Sequence, residues 1–142
     1  MPDKSFEHVI PFHHVQPQNI WLPLVTVTLI PAQGPPVDLP LLVDTGASVT
    51  TLPHDLYALL GVPAWDSGQP VATQTAGGPV PVYQYQANLE FLGKTVACPI
   101  QLNSQIPQHP LFVGLFGRET IFEQFGFGFW ESAHEIYITL NP

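Results

Sequence analysis

Positive charge is scarce in this sequence: three Lys and Arg stand against eleven Asp and Glu, a formal charge of −8 over 142 residues. Nucleic-acid binding relies on Lys and Arg to neutralise phosphates, so the composition argues against nucleic acid as a partner. Cysteine is nearly absent too. Cys98 stands alone, so no intrachain disulfide can form, and the lack of a disulfide framework fits a reducing, cytoplasmic address. No stretch approaches the roughly 20 apolar residues of a membrane span. The N-terminus, Met-Pro-Asp-Lys-Ser-Phe-Glu-His-Val-Ile-Pro, has no uninterrupted apolar core of signal-peptide length. The expectation is a soluble, unexported protein with no membrane partner. His-x-x-x-His and Cys-x-x-Cys spacings are also missing, and His13-His14 are adjacent in a proline-rich stretch, so neither a metal site nor a cofactor is expected.

Apolar residues make up 45% of the chain and charged ones only 10%, a composition that folds and does not stay disordered. At 142 residues it fits one domain spanning 1–142, with a proline-rich segment at 1–21 that serves as interface or tail. Seventeen prolines and eleven glycines cut the sequence into short apolar runs, the pattern of many short strands joined by tight turns. The fold class is therefore all-β, with one or two short helices.

Leu24 to Ile30 alternates apolar and hydroxyl residues with a period of two, a strand with one buried face. Pro31 to Pro40 reads as a proline-rich loop. Leu41-Leu42-Val43 is a short apolar run that reads as a strand buried on both faces and delivers Asp44 at its end. Val49 to Leu52 resumes an extended path. His54 to Gly61 predicts two turns of helix, with Leu56, Leu59 and Leu60 on one face and Gly61 as the cap. A hairpin is predicted from Val71–Thr75 and Val80–Gln86 around the turn Ala76-Gly77-Gly78-Pro79. A second strand pair flanks Leu92-Gly93-Lys94, a short helix follows from Gly117 to Phe125, and Ile136 to Leu140 forms the last strand. The run Leu111-Phe112-Val113-Gly114-Leu115-Phe116-Gly117 loosely echoes Leu41-Leu42-Val43-Asp44-Thr45-Gly46.

The chemistry concentrates at Asp44-Thr45-Gly46. A carboxylate beside apolar neighbours has its charged form disfavoured by desolvation, while nearby backbone donors favour that form. Gly46 permits a tight turn that brings such donors close, and the Thr45 hydroxyl can tie the loop to a neighbour. Hydrolysing an amide without metal or covalent intermediate needs one group to take a proton from water and another to give one to the carbonyl oxygen. Two facing carboxylates sharing a proton can do both.

Leu-Leu-Val-Asp-Thr-Gly-Ala-Ser, the glycine-tipped hairpin after it and the later Leu115-Phe116-Gly117-Arg118-Glu119 appear in the order seen in the retropepsin-like aspartic proteases, and over about residues 22–140 the chain resembles that family. The resemblance implies a retropepsin-like acid-protease β-barrel that forms one half of a dimeric enzyme. It implies a homodimer in which two copies of Asp44 face each other, with Thr45 bracing the loops and Gly46 shaping them. Ala47 and Ser48 would lie along a peptide or protein substrate, and Ala76, Gly77 and Gly78 would sit at the tip of a mobile flap. In this family an alanine at the position of Ala47 leans towards activity nearer neutral pH. The acidic residue that in many retroviral members follows the motif and pairs with the helix arginine is missing here, which leaves Arg118 without an assigned partner.

Asp66-Ser67-Gly68 also has the form of a catalytic tripeptide, but it follows Asp44 by only 22 positions and Pro-Ala-Trp before it is no buried strand. It reads as a turn. Gly46-Ala47-Ser48-Val49-Thr50 lacks the second glycine of a nucleophile elbow, which argues against Ser48 as a nucleophile. Phe127 and Phe129 read as strand packing, and Cys98 as a small core residue. The sequence therefore predicts an aspartic endopeptidase; a catalytically weak module for dimerisation or peptide binding is the alternative.

Overall fold

The computed structural model describes residues 6–75 and 77–141. Twelve strands carry the described chain: β1 (His8–Pro11), β2 (His13–Val15), β3 (Ile20–Leu22), β4 (Leu24–Ile30), β5 (Val37–Val43), β6 (Thr50–Pro53), β7 (Gln69–Thr75), β8 (Gly78–Phe91), β9 (Lys94–Asn103), β10 (Gly114–Phe116), β11 (Phe125–Trp130) and β12 (Glu135–Leu140). Seven of them form one sheet in the order β4-β5-β10-β6-β9-β8-β7. A further pairing of β4 with β8 closes six of these strands into a ring. Closure leaves no open edge in the body of the barrel.

The alternation in β4 works as its period-two pattern predicts: Val25, Val27 and Leu29 are buried while Thr26 is exposed. Opposite it, Leu39, Leu41 and Val43 of β5 face the same core, joined by Leu89, Cys98, Ile100, Leu102 and Phe116. Leu42 is only half-buried, so β5 buries one face fully and the other partly. β5 also begins earlier than its prolines suggest. The segment expected as loop through Pro40 turns extended at Val37, because β4 supplies partners from Val37 onward and Pro40 needs only its carbonyl, which accepts from Val113 N at 2.9 Å. At Leu92-Gly93 both residues have positive φ (50° and 82°), the two-residue turn that matches strand twist between β8 and β9.

The helices are shorter or tighter than the sequence suggests. His54–Leu60 is a 3-10 helix, closed by Gly61 at φ 70°. Of the helix expected over 117–125, only α1 (Ile121–Gln124) forms: Thr120 sits at φ 68° before it, and Phe125 is already extended because it pairs with Leu140.

The chain ends build a separate three-stranded sheet, ordered β1-β12-β11. Ile136 and Ile138 of β12 and Phe125 of β11 turn inward to the core. The β2–β3 hairpin is fastened to this unit by Trp21, whose ring stacks between His14 and His134 at 3.9 Å from each. Buried Phe12 adds a backbone bond to His134 O at 2.8 Å.

Candidate active site

Asp44 follows directly after β5, and β10 explains why it stays there. β10 runs parallel to β5, Gly114 beside Leu41 and Phe116 beside Val43, and antiparallel to β6. The echo between residues 41–46 and 111–117 is thus a pair of adjacent strands. Two glycines make the fit possible: a Cβ on Gly114 would lie 2.4 Å from Thr51 O, and one on Gly117 would lie 2.3 Å from Val49 C.

Four hydrogen bonds then knit residues 44–50 to residues 116–119. Asp44 N donates to Phe116 O (3.1 Å), Gly117 N to Thr50 Oγ1 (3.0 Å), Arg118 N to Ala47 O (3.0 Å) and Glu119 N to Ser48 O (2.8 Å). Thr50 is 1% exposed and is the one buried polar residue among those described, so its hydroxyl serves structure. Sequence reasoning missed it; a hydroxyl residue six positions after a strand-end aspartate carries no signal until the strand beside it is known. Arg118 contributes its backbone here, and among the described residues its guanidinium forms no ion pair.

Within the loop, Gly46 N donates to Asp44 Oδ1 at 2.9 Å and Ala47 N donates to Asp44 O at 3.1 Å. The first bond is the backbone donor that a tight glycine turn can bring to a carboxylate. A Cβ on Gly46 would approach that same oxygen to 3.2 Å. Asp44 is half-buried, Thr45 and Ser48 are exposed, and Val49 is buried behind them.

The loop opens onto a cleft of about 570 Å³ lined by Asp44, Gly46, Ala47, Ser48 and Val49 on one side and by Val71, Ala72 and Thr73 of β7 on the other. Thr51 of β6, Gln101 and Asn103 of β9, Ile106 and Leu115 complete it, and Asp44 is its one ionisable lining residue. Thr45 lies outside the lining. Gly77 and Gly78 stand in the turn and first strand position of the β7–β8 hairpin, Gly78 with φ 111°, and neither lines the cleft of a single chain. Ala76 falls outside the described residues. The strand resumes at Gly78, so the turn is tighter than the expected four residues 76–79.

The hairpin arm has two distinct parts. From Val82 onward β8 is paired with β9 as well as β7, whereas the ladder of Gly78–Pro81 is with residues 72–75. Pro79 and Pro81 are exposed there, and prolines on an edge cannot supply a ladder donor, which keeps other strands off. Asp66-Ser67-Gly68 lies at the base of this arm. Gly68 N donates to Tyr85 Oη at 2.8 Å, and Tyr85 Oη donates to Trp65 O at 2.7 Å, so the segment is a pinned structural turn. Among the described residues no three His, Cys, Asp or Glu gather as metal ligands, and no helix is long and apolar enough to cross a membrane.

Set beside known proteins, the family model for "Aspartyl protease" matches residues 25–120, more than half of the chain and the span that holds the Asp44 loop and β10. Among solved structures, the chain is similar to a retropepsin-like aspartic protease from Rickettsia conorii, at 18% identity over 93% of this chain and 98% of that one, with a TM-score of 0.60. It is also similar to EIAV protease complexed with the inhibitor HBY-793, at 21% identity over 72% of this chain and 86% of that one, with a TM-score of 0.52. No curated protein matches it. The fold is that of the retropepsins, and the chain belongs to the aspartyl protease family.

Proposed function

We propose that the protein is an aspartic endopeptidase acting as a homodimer, with the two Asp44 carboxylates as its catalytic pair. The observation that carries this is the cleft: it holds one ionisable group, on a loop fixed by four bonds from a neighbouring segment, and one carboxylate cannot both take and give a proton. A second copy supplies the other. Two carboxylates that close share a single proton, because like charges at short range cannot both ionise.

On this reading the ionised Asp44 takes a proton from water as the oxygen attacks the scissile carbonyl carbon. The protonated Asp44 of the second copy gives its proton to the carbonyl oxygen. The resulting tetrahedral species collapses with transfer of a proton to the departing nitrogen, and symmetry lets the two copies exchange roles. Thr45 braces one loop against the other, Gly46 N–H holds its carboxylate in orientation, and Ala47 and Ser48 align the peptide backbone. The arm acts as a flap, with residues 76–78 at its tip.

The test joins two measurements on the purified protein. Sedimentation gives a species near twice 15.6 kDa. Cleavage of a diverse peptide library is blocked by a transition-state mimic of the pepstatin type. A strict monomer that still cleaves would sink the shared site, and a dimer that cleaves nothing would favour a peptide-binding or dimerisation module.

A further inference from the structure

Apart from Asp44, the polar side chains of the cleft are all neutral: Ser48, Thr51, Thr73, Gln101 and Asn103, with no Lys, Arg or His among them. Two of these are amides presented together by the end of β9. Leu102 between them turns into the core, so Gln101 and Asn103 share the opposite face and stand ~7 Å apart along the strand. Both are half-buried.

Their hydrogen bonds leave complementary groups over. Gln105 N donates to Asn103 Oδ1 at 2.7 Å. A backbone N–H can only donate, so this bond settles which atom of the Asn103 amide is oxygen. The Asn103 Nδ2 hydrogens then have no acceptor among the described residues. Gln101 Nε2 donates to Gln84 Oε1 at 3.2 Å across the β8–β9 ladder, which leaves Gln101 Oε1 as an acceptor. Thr51, beside Gln101 on β6, has its hydroxyl hydrogen committed to Val49 O at 3.0 Å and cannot serve that acceptor. One wall of the cleft thus offers a donor and an acceptor from neighbouring side chains.

A substrate side chain seated there is sorted by charge and by hydrogen bonding. A carboxylate would meet no cation in the lining and would face Asp44 in a chain of net charge −8. An ammonium group would find no carboxylate except the one used for chemistry, and would lose water without a partner. An apolar chain would cover Asn103 Nδ2 and Gln101 Oε1 and leave both unpaired. A primary amide answers both groups at once, its oxygen accepting from Asn103 Nδ2 and its nitrogen donating to Gln101 Oε1.

We infer that the protein selects peptides with a Gln or Asn side chain at one fixed position near the scissile bond, seated on Gln101 and Asn103. This deepens the protease reading above and rests on it.

The test varies a peptide that the wild type cleaves, one position at a time, to Gln, Met, Glu and Lys, four side chains of comparable length. At one position kcat/KM for Gln exceeds that for each of the others by about 10-fold, chiefly through KM. Asn103→Asp keeps the acceptor for Gln105 N but replaces the donor with a charge, so at that position the preference moves from Gln to Lys. Because the Gln105 bond is retained, such a reversal is not a folding effect. Asn103→Leu brings Gln level with Met there. A scan in which Gln leads at no position, or an Asn103→Asp variant that slows every peptide alike, overturns the selection for amides and leaves the protease reading standing. A wild type that cleaves no peptide of any composition removes the protease reading, and this inference with it.

Discussion

The Asp44 loop and the β7–β8 arm both turn on glycine at a strand end, yet they are held very differently. The loop receives four hydrogen bonds from residues 116–119, a segment about 70 positions away, and is wedged between β5 and β6 by β10. In the outer arm, residues 72–75 and 78–81 ladder with each other, and the pairing of β8 with β9 begins only at Val82. The two regions thus share the same local turn chemistry, and the number of long-range ladder and loop bonds separates them. On the proposed function the difference has a use, since the acid must not drift while the covering strand lifts to admit a peptide.

Four changes break or sharpen that contrast, and a fifth tests the core between the two regions. The largest effect is expected from Asp44→Asn, which keeps the Oδ1 acceptor for Gly46 N–H but removes the acid–base group: cleavage falls by about 10²–10⁴-fold or more while the melting temperature holds. Unchanged peptidase activity in that variant would place the chemistry elsewhere. Next, Gly117→Ala drives a Cβ into the Val49 backbone at 2.3 Å and costs about 3 kcal/mol, seen as a lower urea midpoint with activity lost in parallel. Thr50→Val leaves the Gly117 N–H buried without its acceptor, for a loss of about 1–3 kcal/mol by thermal denaturation.

On the arm, Tyr85→Phe releases Gly68 N and Trp65 O at its base. The loss is about 1 kcal/mol, and KM is expected to change more than kcat if the arm governs peptide entry. At neutral pH the smallest effect is that of Cys98, whose thiol burial pushes from 9.0 up to about 12. The folded state then keeps a proton that the unfolded chain releases, so stability is flat below about pH 9 and declines between pH 9 and 12. Urea midpoints across that range, compared with Cys98→Ala, isolate the decline.

Much of the body of the barrel was legible in the residues themselves. β4 announced itself by alternation over Leu24–Ile30, the β8–β9 turn by Leu92-Gly93, and the strand that ends just before Asp44 by the apolar run Leu41-Leu42-Val43. What escaped depends on partners distant in the chain. Pro40 looks like loop until β4 stands beside it, and His8–Pro11 has no strand character of its own before β12 pairs with it some 130 positions later. The same holds for Thr50 and Gly117: their roles arise from one hydrogen bond across 67 positions. Local pattern shows which segments extend, whereas the support of the site lies in contacts that no window of sequence contains.

The parallel seating of β10 against β5 also bears on the order of events during synthesis. Asp44 leaves the ribosome first, and Phe116 O and the amides of residues 117–119 that fix its loop emerge more than 70 residues later. Non-local contacts of this span close slowly, because loop entropy must be overcome before they contribute anything. A nascent chain therefore carries Asp44 without the segment that fixes its loop until residues 116–119 have emerged.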